Sequence, residues 1–316
     1  MSTEETVELN DETGISGPAD TDQAFEIPFK NPVKPVQYTL DDRIQFNCHK
    51  GIACFNKCCK SIEIQLTPYD ILRLKKHFDL TSKEFVARYT MPFEMDAHSM
   101  PGLRLVHKPG TTECVFLTEE GCSVYADRPT VCRYYALGNM GVRKKDGDKV
   151  EDVYFLVKED HCLGHYEPKT QTVRDYLHEQ GADQYDEFNK DWRDIIIKKR
   201  SSGPTIGKPS ERSMQLFDMC SYDIDNFREF IQSPSFQSIF DLDEDTTRTL
   251  IEKDGELLKF AMRFLKQVLY GETSIPIKTG AREQRLQERH DVLQARKQAE
   301  IEKHKNKAAF DDYIAD

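Results

Sequence analysis

Eight of the nine cysteines in the 316-residue chain fall between Cys48 and Cys162, and only Cys220 stands apart. The first group, FNCHKGIACFNKCCKS, supplies Cys48, Cys54, Cys58 and Cys59. The second, CVFLTEEGCSVYADRPTVCRYY, supplies Cys114, Cys122 and Cys132, and Cys162 follows in EDHCLGHY. Thiolates are soft ligands, and a compact set of four holds zinc or an iron–sulfur cluster. Ligands close in sequence lose little chain entropy when the site closes, and Gly51 allows the turn that a wrapped loop needs. Adjacent cysteines rarely aim at one centre without strain. Cys58 and Cys59 therefore either serve two centres or leave one of the pair unused, and eight thiols suffice for two four-ligand sites. Disulfides and plain burial are the competing readings. A reducing cytosol disfavours the first, and the grouping of eight cysteines disfavours the second. Cys220, alone in LFDMCSYD, is read as a bystander.

The spacing excludes two common signatures. A radical-SAM centre needs C-x3-C-x2-C; Cys54 and Cys58 satisfy the first gap, but Ser61 occupies the third place. The paired C-x2-C knuckles of a zinc ribbon are also absent. His49 and His161 each adjoin a cysteine and could replace a thiolate, although a histidine beside a ligand more often points away. Lys50, Lys57, Lys60, Arg128 and Arg133 flank the cysteines and could offset the negative charge of a thiolate-bound metal, as Tyr125, Tyr134 and Tyr135 could shield it. The plainer reading is surface charge, a braced turn before Pro129, and core aromatics.

Other sites fare worse. Asp241, Asp243, Asp245 and Glu252 have calcium-loop spacing, but Thr246 stands where the sharp turn requires Gly, so an acidic helix N-terminus is preferred. Gly203–Lys208 is one residue short of a phosphate loop, with no Ser or Thr after the lysine. No G-x-G-x-x-G, G-x-S-x-G or H-E-x-x-H is present.

These residues need elements to hold them. Ile62–Leu66 alternates as a half-buried strand. Thr67 then caps a helix with Pro68 at its first position and Ile71, Leu72, Leu74 and Phe78 as its apolar stripe. Thr81 and Glu84 form a capping box for the next helix. Leu103–Val106, Cys114–Leu117 and Val153–Val157 read as strands, Glu119-Glu120-Gly121 as a turn, and Arg128-Pro129 as the opening of a short helix through Cys132 to Leu137. From about residue 170 the pattern is helical: two runs around Gly181, a turn-rich linker over 201–210, then helices at 211–219, 223–232 and 245–270. The run 281–307 is charged on nearly every face, as solvated helices are.

Composition bounds the rest. Hydrophobic residues make up 38% and mean hydropathy is -0.66, low enough to require polar tails or exposed helices around a real core. Lys+Arg 44 against Asp+Glu 55 gives a net charge of -11, which argues against broad nucleic-acid binding. The N-terminus is acidic, without a basic start or apolar core, and no stretch is long and apolar enough to span a membrane, so a cytoplasmic protein is expected. The fold class expected is α+β. An acidic, disordered or extended tail covers 1–39, a cysteine-cluster metal-binding domain 40–168, a helical region 169–280, and a charged exposed helix 281–316.

The motifs GIACFNKCC, IQLTPYDILRL and CVFLTEEGCSVYADRPTVCR occur in the order seen in the YkgJ-type cysteine-cluster family, which this stretch resembles over about 48–135. That family is described as a zinc- or iron-chelating domain, with relatives of the flagellin lysine methylase in it. The resemblance implies metal binding by Cys48, Cys54, Cys58, Cys59, Cys114, Cys122 and Cys132, with Cys162 as the eighth ligand. It leans toward an iron–sulfur cluster over zinc, and it implies nothing for residues 170–316. Three functional classes stay open: a redox or electron-transfer protein, a structural-metal module whose C-terminal helices bind a protein partner, and a protein-modifying enzyme related to the methylases.

Overall fold

The computed structural model describes residues 33–95, 100–143, 150–201 and 210–288, together with 290, 294–295, 297–299 and 301–302. Strands and helices mix in the first half, and helices dominate the second, as an α+β chain requires. Most of the predicted tail, residues 1–32, and the linker residues 202–209 lie outside the described residues.

The described end of that tail is extended. β1 (Val33–Tyr38) pairs antiparallel with β9 (Val150–Val157), and β8 (Leu137–Arg143) flanks β9 on the other side. A strand at this place covers an edge that β9 would otherwise leave open. β2 (Arg43–Gln45) pairs with β10 (Thr170–Thr172), bringing the start of the cysteine segment beside its end.

β3 (Gln65–Leu66), β5 (Pro101–Leu105) and β4 (Thr90–Glu94) form a second antiparallel sheet in that order. The predicted strand at 62–66 keeps its alternation of exposed and buried residues, but only its last two residues pair. α1 (Pro68–His77) starts as its sequence dictates: Pro68 occupies the first turn, Thr67 accepts from the Asp70 amide, and the Asp70 side chain accepts from the Thr67 amide. α2 (Ser82–Tyr89) has the same reciprocal cap between Thr81 and Glu84.

The segment Cys114–Leu117 is not a strand. Cys114 bridges to His107, the chain turns, and a two-residue hairpin follows from β6 (Leu117–Thr118) and β7 (Gly121–Cys122). α3 (Thr130–Tyr134) opens after Pro129 as expected but stops before Leu137, because that residue is already paired with Leu156 in the sheet.

The helices α4 (Val173–Glu179) and α5 (Ala182–Ser201) meet at Gly181, whose φ of 67° suits a residue without a side chain. α6 (Glu211–Tyr222), α7 (Ile224–Gln232), α8 (Pro234–Gln237), α9 (Glu244–Glu252), α10 (Asp254–Tyr270) and α11 (Ala281–Glu288) complete the described helices. The run expected at 245–270 is two helices, broken at an extended Lys253. Asp243 caps α9 by accepting from the Thr246 amide at 2.7 Å, so the acidic stretch is a helix start. Beyond Ala281 the described side chains of the last helical run are exposed. No helix among the described residues is long and apolar enough to cross a membrane.

Two cores result. The larger joins Ile64, Leu74, Phe85, Leu103 and Phe116 to Phe217, Phe227, Leu257, Phe260 and Phe264, so residues before and after 168 share one interior. The smaller holds Ile44, Phe46, Tyr134, Leu137, Tyr154, Val173, Tyr176 and Leu177. Cys114 and Cys220 belong to the larger core, with Cys59, Cys122 and Cys132 packed against it, and Cys162 belongs to the smaller.

Candidate metal centre

The first cysteine segment is a chain of tight turns. The Ile52, Phe55 and Lys57 amides donate to the carbonyls of His49, Ile52 and Cys54, at 3.2, 2.9 and 2.9 Å. Asn56, at φ 66°, then leads into a 3-10 turn over Lys57–Lys60 that carries Cys58 and Cys59. Asn and Gly are the residues that tolerate this left-handed backbone best, so the sequence FNKCC suits the turn.

Two neighbours clamp the segment. On one side, the Asn47 amide donates to the Gly164 carbonyl at 3.0 Å and the Leu163 amide to the Cys54 Sγ at 3.2 Å. Gly164 is required there, since a Cβ would come within 2.6 Å of the Phe46 ring and 2.9 Å of the Asn47 carbonyl. On the other side, the Cys114 amide donates to the Cys59 carbonyl at 2.8 Å, and Thr112 Oγ1 to the Lys60 carbonyl at 2.6 Å.

Cys132 comes from α3, which one buried carboxylate fastens to α1. Asp70, already part of the α1 cap, also accepts from the Thr130 amide at 2.8 Å and from its hydroxyl at 2.7 Å. Arg133 follows, 5% exposed, and donates to the carbonyls of Arg128, Ala126 and Gln180 and to the Tyr185 hydroxyl. Arg128 stacks 4.2 Å over Tyr125 and donates to the Tyr125 carbonyl and the Gln180 side chain. Among the described residues neither arginine has a carboxylate partner, so both positive charges are met only by neutral acceptors.

Between these pieces lies a cavity of about 100 Å³ whose wall carries Cys48, Cys58, Cys59, Cys114, Cys122 and Cys132. Tyr125, Arg128, Tyr135, Tyr176 and Gln180 complete its polar side. Cys54 and Cys162 are buried beside it and do not face it. Among the described residues no three Cys, His, Asp or Glu side chains already converge on one point as a closed ion site would. The sulfurs are spread over a wall. The donor set nonetheless has the chemistry of a thiolate metal site, and Arg128 places a positive charge on the same wall.

Six of the thiols are held in the protonated form. Burial, followed by the neighbouring Cys58, Cys54 and Cys162, pushes Cys48 up to about 11. The hydrogen bond to Cys59 and then burial raise Cys58, and burial foremost raises Cys114, Cys122, Cys132 and Cys162. A metal must displace those protons, which makes its affinity fall as pH falls.

His49 is held elsewhere: its Nδ1 accepts from the Gly51 amide at 3.1 Å and its Nε2 faces Glu167 at 3.2 Å. His161 faces Glu159 at 3.5 Å. Tyr134 belongs to the smaller core, with its hydroxyl on Asp186 at 2.7 Å, whereas Tyr125 and Tyr135 do line the cavity. Cys220 is fully buried in α6 within the larger core. Sequence reasoning missed Tyr176 and Gln180, which α4 brings to the cavity from far along the chain, and it gave no signal for them.

Residues 47–163 match the family model described as "CxxCxxCC: putative zinc- or iron-chelating domain". The spacing in this chain, C-x5-C-x3-C-C, is wider than that name spells out. No curated protein and no solved structure matches the chain.

Proposed function

We propose that residues 47–163, which match the model of a zinc- or iron-chelating domain, hold an iron–sulfur cluster that stores or passes electrons. The observation that carries this reading is the thiol-walled cavity. A single four-thiolate zinc closes its ligands onto one atom at about 2.3 Å and leaves no space inside. The cavity here, about 100 Å³, is several times the roughly 10–15 Å³ that admits one water, and six sulfurs line it. Such space suits a polynuclear group.

When bound, the cluster supplies one-electron chemistry. The residues around it do the rest. Arg128, on the cavity wall and without a carboxylate partner among the described residues, offsets the negative charge of a thiolate-ligated group. Tyr135 and Tyr176 cover the cavity, the Tyr176 hydroxyl donating to the Tyr135 carbonyl and the Tyr135 hydroxyl to Glu159 at 2.5 Å. Their rings limit the access of water, which governs both potential and oxygen sensitivity.

A second reading, structural zinc, draws on the spread of the cysteines over both cores, Cys114 in the larger and Cys162 in the smaller, which a redox-silent ion would simply fasten. Anaerobic purification with metal and acid-labile sulfide analysis separates the two. The cluster reading expects stoichiometric iron and sulfide with broad visible absorption that bleaches on reduction. Zinc alone, without colour, would overturn it in favour of the structural ion.

A further inference from the structure

We infer that the mouth of the thiol-walled cavity is a binding site for a small carboxylate, held by Arg128, Gln180 and Tyr125. The inference goes beyond the metal reading and concerns the polar side of the wall, which carries no sulfur.

The cavity opens at one place. Of the residues on its wall only Cys48 and Tyr125 are exposed, Tyr125 by 56%, so the way in lies between Cys48 and the 3-10 turn over Tyr125–Asp127. Arg128 closes that turn and stacks 4.2 Å over the Tyr125 ring, which sets the guanidinium at the entrance. Its Nη1 donates to the Tyr125 carbonyl at 2.9 Å. Its Nη2 donates to the Gln180 carbonyl at 3.3 Å and to Gln180 Oε1 at 2.9 Å. These acceptors fix the guanidinium and are all neutral, so the charge is positioned without being neutralised.

The hydrogen-bonding capacity left at the entrance is almost all of one kind. Arg128 Nε has no acceptor among the described residues. Because Gln180 Oε1 is turned to Arg128, the Nε2 amide is turned from it, and its N–H groups meet no acceptor among the described residues either. The Tyr125 hydroxyl likewise has no partner among them. No Asp or Glu stands on the wall. Unspent donors around a fixed positive charge, with no carboxylate to repel the guest, select an oxyanion. The guanidinium and the amide are both planar, and two planar donors side by side match the two oxygens of a carboxylate.

Arg128 keeps its place beside the metal in this arrangement. A thiolate-ligated centre is negative and repels anions, and a cation at the entrance offsets that repulsion where the ligand must pass. The carboxylate then lies next to Cys48, the one wall cysteine that is exposed.

The test titrates malonate into the full-length protein as purified anaerobically, by calorimetry at low ionic strength, with metal content measured on the same sample. Saturable binding is expected, with a dissociation constant of about 1 mM or tighter. Q180E keeps the acceptors for Arg128 but replaces the amide donors with a negative charge, and should weaken binding by about tenfold or more. R128Q should abolish binding, and Y125F, which keeps the stacked ring, should weaken it by about threefold. Where R128Q does not fold, Q180E and Y125F decide. Inorganic phosphate should bind more weakly than malonate. No saturable binding to the unaltered protein, unchanged affinity in folded Q180E, or tighter binding of phosphate than of malonate would overturn the inference. Metal bound without malonate binding overturns this inference alone. Malonate binding that Q180E abolishes, in protein that holds no metal, supports it while the metal reading fails.

Discussion

The phenylalanine-rich helices and the cysteine seam are held together by different means. Phe227, Phe230, Phe236, Phe240, Phe260 and Phe264 pack ring to ring at 4.4–6.3 Å across α7, α8 and α10. Burying such side chains stabilises by roughly 1.5–3 kcal/mol each, and α10 alone buries seven residues. The seam has two-residue strands, 3-10 turns and a five-residue helix, with thiols where the helical half has rings. Short elements of this kind have little apolar area to bury, and small domains compensate with metals. Cys220 makes the contrast within one residue type: inside the helical core it is a small hydrophobe, and in the seam the same side chain is a ligand in the reading proposed above.

The largest expected effect comes from removing the metal. Chelation under reducing conditions should raise hydrogen exchange over residues 47–60, 114–132 and 159–165 by several kcal/mol of local opening free energy, with α10 nearly unchanged. Exchange rising equally in α10 would abolish the contrast between the regions.

Asp70→Ala comes next, because this residue serves both regions. It leaves the Thr67 and Thr130 amides and the Thr130 hydroxyl without their acceptor in a fully buried place, a loss of about 3–5 kcal/mol. Chemical denaturation should show that loss, and metal content should fall with it, since α3 carries Cys132.

Asp225→Ala should lower stability without touching the metal. Asp225 pairs with Lys75 at 2.6 Å and accepts from the Ser82 amide at 2.7 Å, linking α7 to α1 and α2. Its removal strands Lys75, whose side chain is 7% exposed, at a cost of about 2–4 kcal/mol. Although burial alone would raise the Asp225 carboxyl, its hydrogen bonds to Lys75 and Ser82 hold it down at about 2. The folded value lies below the ordinary value of about 4, so this stabilisation is present above pH 4 and disappears as pH falls toward 2. In Asp225→Ala the acid-side slope of stability against pH should flatten.

Gly181→Ala should cost about 1–2 kcal/mol, since φ is 67° and a Cβ would stand 3.0 Å from the Arg133 guanidinium. Thermal melting measures the loss. Cys220→Ala should have the smallest effect, about 1 kcal/mol in stability and none on metal content. Metal loss in that variant would break the distinction between core thiol and seam thiol.

What the sequence made legible was local. Thr67, Pro68, Thr81 and Glu84 announce their helices because caps are decided within four residues. Cys114–Leu117 looked like a strand because its apolar residues run together, but there the chain turns and only its ends pair, Cys114 with His107 and Leu117 with Cys122. The cysteines could be grouped by spacing, and spacing placed Cys58 and Cys59 together. The fold keeps them together and adds distant partners that spacing does not show: both line one cavity with Cys48, Cys114, Cys122 and Cys132. Tyr176 and Gln180 reach the cavity from α4, and no local pattern marks a residue whose role depends on where a distant helix packs.

The central claim, an iron–sulfur cluster in the cysteine seam, is tested most directly by Mössbauer spectroscopy of the anaerobically purified full-length protein, grown with enriched iron. The account predicts quadrupole doublets of thiolate-ligated iron in sulfide-bridged clusters, with iron and sulfide in equal amounts. A spectrum with no protein-bound iron, from a folded protein carrying zinc in the same cysteines, would contradict it.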